Sequence, residues 1–218
     1  MKTKFFRRDA PAVPLVMALL AAALLVSCSD FFTRSLGEWA KRDPDSLIPA
    51  VTTGNVKNLV ALAENDPDLS LALLKKIASS GSASDPSMRA AALQAAANAA
   101  GLGTAILQNA GNINDLDEAK IREIVANTVK SLDNLETVSS LLTGMLPDLT
   151  DTDGWNNFAA ASTPGDLAMA AAILLAAEAK KSGDPSGYFG VFSQPGSTDA
   201  EKMAVALADK AAAIPNDG

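Results

Sequence analysis

The chain has 218 residues, 48% hydrophobic, 5% aromatic and 20% charged, with no histidine, one cysteine and a formal charge of −7. Without histidine there is no Ser-His-Asp or Cys-His relay and no imidazole metal site, and one thiol builds neither an intramolecular disulfide nor a cysteine zinc site. The acidic balance speaks against nucleic acid as a partner, which needs a basic footprint, while the length and apolar content suffice for one domain or two small ones.

The N-terminus carries the strongest local signal. Lys2, Lys4, Arg7 and Arg8 form a basic start, and an uninterrupted apolar run follows from Leu15 to Val26. Polarity returns at once in Ser27-Cys28-Ser29-Asp30. This is the anatomy of a secretory signal peptide. As a helix the run would cover about 18 Å, short of the roughly 30 Å hydrocarbon core, so a permanent transmembrane anchor is the weaker reading. Leu25-Val26-Ser27-Cys28 resembles a bacterial lipobox. The resemblance implies cleavage between Ser27 and Cys28, a diacylglyceryl group on the Cys28 sulfur and often an acyl chain on the new amino group. Arg7-Arg8 resembles a twin-arginine export signal, but Phe6 and Asp9-Ala10-Pro11 fit that pattern poorly, and general secretion is preferred. In a diderm, Ser29 after the cysteine resembles the sorting signal for the outer membrane. Two or three acyl chains anchor durably where one holds only reversibly, at about 0.8 kcal/mol per buried methylene.

Removal of residues 1–27 leaves fourteen basic against twenty-four acidic side chains, a net charge of −10. Such a body is repelled by anionic lipid, so the membrane contact is expected to run through the lipid on Cys28. The expected layout is a signal peptide over 1–27, a lipidated N-terminus with a first amphipathic helix over 28–46, a helical domain over 47–214 and a frayed tail over 215–218.

The mature chain reads as all-α: a helical bundle or helical-hairpin array of about seven helices with two longer loops. Alanine runs favour helix, and valine-rich alternation is nearly absent. Residues 30–42 put Phe31, Phe32, Leu36 and Trp39 on one side, and a short helix is expected over 55–64. Asp66-Pro67, Asp85-Pro86 and Thr163-Pro164 each set a capping side chain before a proline, with Gly81, Gly101 and Gly183 behind the last turns. They predict helices to about Ser80, Ala100 and Ser182. From Asp115 to Met145 an apolar seam (Ile121, Ile124, Thr128, Leu132, Leu135, Val138, Leu142, Met145) predicts one long helix or a broken pair. Residues 198–213 close the chain, capped by Ser197 or Thr198. Residues 147–154 and 183–197 are expected as loops. The last two helices are loosely similar to a tetratricopeptide unit, which implies hairpin architecture only.

Asp148-Leu149-Thr150-Asp151-Thr152-Asp153-Gly154 resembles part of a calcium loop. With Gly154 as its turn glycine, the first ligand position falls on Leu149 and the bidentate one on Ala160, so the segment reads instead as an acidic turn in which Asp153 caps a short helix. Gly101-Leu102-Gly103 follows a helix, not a strand, and reads as a helix break rather than a phosphate cradle. Asp115, Asp117, Glu118 and Glu123 gather at a helix start, where they suit the dipole. No cofactor, metal or catalytic set is expected. The aromatic run around Tyr188, Phe189 and Phe192 is a candidate partner contact or a core filler. The expected function is a non-catalytic, lipid-anchored envelope module that binds another envelope protein. The alternative is a binder of a small apolar or lipid-like ligand within the bundle.

Overall fold

The computed structural model describes residues 44–80, 85–105, 118–191 and 198–214. The segment expected as a signal peptide over 1–27, Cys28, the helix expected over 30–42, Gly81, Asp115, Asp117, Phe192 and the 215–218 tail lie outside them. The described residues are all-α, with no strand among them. In chain order the helices are α1 Pro44–Leu47, α2 Val56–Ala63, α3 Pro67–Ser79, α4 Pro86–Ala100, α5 Glu118–Ser131, α6 Leu135–Met145, α7 Thr152–Ala160, α8 Pro164–Lys181, α9 Pro185–Val191 and α10 Asp199–Ala213.

The cap-and-proline signatures act as expected. Asp66 Oδ1 accepts from the amides of Asp68 and Leu69, and Asp85 Oδ1 from those of Ser87 and Met88, satisfying donors that the first helical turn leaves open. Thr163 Oγ1 accepts from the Asp166 amide, and Thr198 forms a reciprocal capping box with Glu201. At the other ends, Gly101 and Gly183 take positive φ of 64° and 76°, the left-handed turn that glycine enters without a Cβ clash.

The seam expected as one long helix or a broken pair is, among the described residues, the broken pair, interrupted at residues 132–134, and two other expectations are corrected. No proline or glycine causes the break; Lys180 Nζ reaches across from α8 and donates to the Leu132 carbonyl at 2.5 Å, a cation on the exposed carbonyl end of α5. The 183–197 segment is not wholly loop, because α9 occupies its first half. Asp184 Oδ1 accepts from the Gly187 amide at 3.0 Å, and the Asp184 carbonyl receives the Tyr188 amide at 2.9 Å, so Asp184-Pro185 opens a helix as Asp66-Pro67 does. In the acidic turn, the cap of α7 is Asp151 rather than Asp153, with Oδ1 accepting from the Gly154 amide at 2.8 Å. These additions, with α1, raise the tally above the expected seven.

The interior is built around α4 and α8. α8 packs against α4, α5, α6, α9 and α10, while α4 also meets α2, α3, α6 and α7. Both are alanine-rich and buried on most sides: Ala91, Ala92, Ala95, Ala96, Ala99 and Ala100 on α4, and Ala170 to Ala172, Ala176, Ala177 and Ala179 on α8. A helix apolar on all sides belongs at the centre of a bundle, and methyl side chains let neighbours approach at the near end of the usual 8–10 Å spacing. Larger side chains fill the rest, with Phe158, Leu73, Leu74, Ile77, Leu135, Leu142 and Ile173 fully enclosed. Buried Ser70 Oγ donates to the Ala63 carbonyl at 2.7 Å and so closes α2 onto α3.

Candidate functional site

The one charged side chain among the buried described residues, Glu201, lies where α8, α9 and α10 meet. Asp184 aims the first turn of α9 so that Tyr188 turns inward, half buried, towards the start of α10. There the capping box has already fixed Glu201, which is only 7% exposed. The Tyr188 hydroxyl donates to Glu201 Oε1 at 2.5 Å, and Glu201 Oε2 accepts from the Thr198 amide at 3.0 Å. Phe189 packs edge-on against the Tyr188 ring with centroids 5.6 Å apart, and both rings rest on the main core. α9 also packs on α5.

Burial first, and then the hydrogen bond to Glu201, holds the Tyr188 phenol far above its ordinary range; the charges of Glu201 and Glu178 act in the same direction. The phenol is therefore a fixed proton donor at physiological pH, not a base or a nucleophile. Chemically the pair is a brace that pins α9 to α10. Glu178, on the same side of α8, pairs with Lys181 at 2.7 Å.

Of the three aromatics singled out in the sequence, Tyr188 and Phe189 come together and Phe192 lies outside the described residues. Glu201 was not singled out. The signal for it was the Thr198-x-x-Glu201 spacing of a capping box, although nothing in the spacing says that its carboxylate would also receive a phenol.

The acidic turn is held by its own groups. Trp155 Nε1 donates to the Asp148 carbonyl at 3.0 Å, its ring meets Phe158 edge-on at 6.0 Å, and Asp151 is engaged as a cap. Among the described residues no group of three or more His, Cys, Asp or Glu side chains is placed to hold a metal ion. Among them, too, no helix is long and apolar enough to cross a membrane. No protein-family model, curated protein or solved structure matches the chain.

Proposed function

We propose that the chain is a lipid-anchored envelope protein whose helical body is a non-catalytic module for docking on another envelope protein. One observation carries the reading: the single thiol, Cys28, follows Leu25-Val26-Ser27 directly at the end of a twelve-residue apolar run with a basic start. The body from residue 44 onward has a core of its own, so its packing asks nothing of the bilayer. Ser29 favours the outer membrane where there are two. Tyr188 and Phe189 serve the docking role by fixing the α9 corner, with their open edges as the contact.

Metabolic labelling with a palmitate analogue, comparing wild type with Cys28→Ala, tests the anchor. The expected outcome is loss of the label, with the protein shifting from the membrane to the soluble fraction. An unchanged label, or unchanged fractionation, overturns it. Capture of the wild-type protein from mild detergent is expected to bring down one specific envelope partner.

A further inference from the structure

We propose that α5 and α9 form a hinged arm that opens from α8 as one unit, with the Tyr188–Glu201 hydrogen bond as its latch. The inference goes beyond the anchor reading and does not depend on it.

The arm rests on little. α5 packs on α9 and α8, α9 packs on α5 and α8, and among the described residues neither has another extensive helix partner. Of the described α5 positions only Ala126 and Val129 are buried, against eight of the fifteen residues of α4 and ten of the eighteen of α8. Val129 joins the main core, but Ala126 does not. α9 buries Pro185 and half-buries Tyr188 and Phe189. A unit with so few buried apolar groups opens at a lower free energy than the core it leans on.

Two of its connections to the bundle lie side by side. α5 ends at the break over residues 132–134, and α9 follows the turn over residues 182–184. The hydrogen bond from Lys180 Nζ to the Leu132 carbonyl holds these two places together. Both are lightly built. The Leu132 amide reaches the Val129 carbonyl only at 3.4 Å, and Asn134 gives α6 no side-chain cap. Residues 181–184 are exposed, and Gly183, at a φ of 76°, has open space where a Cβ would stand. Hinges are a few such residues at element ends that take up backbone rotation, and two at one place give the arm a common axis.

Away from that axis, the arm is fastened to α10. The capping box locks Glu201 in place, so the Tyr188 phenol comes to a fixed acceptor. Closed, the pair supplies a donor to a buried carboxylate; open, water takes the phenol's place, and Ala126, Val129 and the inner edges of Tyr188 and Phe189 meet solvent. The aromatic corner is therefore the part of the body that yields first.

Native-state hydrogen exchange of the full, natively processed chain in mild detergent, across a series of low urea concentrations, tests the arm. Amides of α5 and α9 are expected to share one opening that is at least about a hundredfold more frequent than the opening of α4 and α8. That opening should respond more weakly to urea, because it exposes less surface than global unfolding. Tyr188→Phe is expected to speed exchange in α5 and α9 together by about tenfold, with the weak urea response retained. Exchange of α5 and α9 at the rate and urea dependence of α4 and α8 overturns the arm, and this wild-type comparison decides even where the variant does not fold. An opening of α5 without α9, or of α9 without α5, overturns the single unit. Unchanged exchange in Tyr188→Phe, or a gain confined to α9, overturns the latch.

Discussion

Tyr188 is the one tyrosine of the chain, so its protonation can be followed without interference from other phenols. Its proton is held more tightly in the folded than in the unfolded chain. This contribution to stability is therefore complete below about pH 10 and is lost as the pH rises above it, since the unfolded chain then releases a proton that the native one keeps. Phenolate absorbance is expected to appear together with loss of helical circular dichroism rather than before it. Tyr188→Phe keeps the ring contacts but deprives buried Glu201 of a donor, and is expected to cost about 1–3 kcal/mol in urea denaturation. The same substitution removes the alkaline absorbance change, which confirms its source.

At the scale of the helix, two glycines make opposite predictions. Gly144 sits in the last turn of α6, exposed, and a Cβ there would meet nothing within 4 Å. Gly144→Ala is expected to stabilise by about 0.5–1 kcal/mol, the helix-propensity difference. Gly101 holds a φ of 64° after α4, and Gly101→Ala is expected to cost about 1–2 kcal/mol. Thermal melts of the two variants, moving in opposite directions, check both. The starts of α3, α4 and α8 were legible, because an aspartate or threonine before proline is a local, chemical signal. α9 bears the same Asp184-Pro185 mark, but the aromatic run behind it suggests an irregular loop; packing on α5 and α8 holds the helix. The break between α5 and α6 was open in the sequence, because its stabilising lysine lies 48 residues away. The Tyr188–Glu201 pair was not legible, since it depends on two helices arriving at one corner.

On the scale of the molecule, the feature that decides most is the use of methyl groups at the centre. Eighteen of the forty-three buried apolar side chains among the described residues are alanine, so helix spacing at the core leaves little room for anything larger. Ala177 on α8 is fully enclosed, and Ala177→Leu is expected to destabilise by about 1–3 kcal/mol or more, as neighbouring helices are forced apart. Ala160→Leu, on the exposed end of α7, is expected to stay within about 0.5 kcal/mol. Urea midpoints of the pair separate crowding from a general effect of leucine.

Alanine also has no rotamers to surrender on burial, and each one removes little oily surface from water. Scanning calorimetry should accordingly find an unfolding heat capacity at or below the common 12–15 cal/mol/K per residue. A smaller heat capacity flattens the dependence of stability on temperature. Such a body would hold nearly constant stability through warm and cold spells in its surroundings.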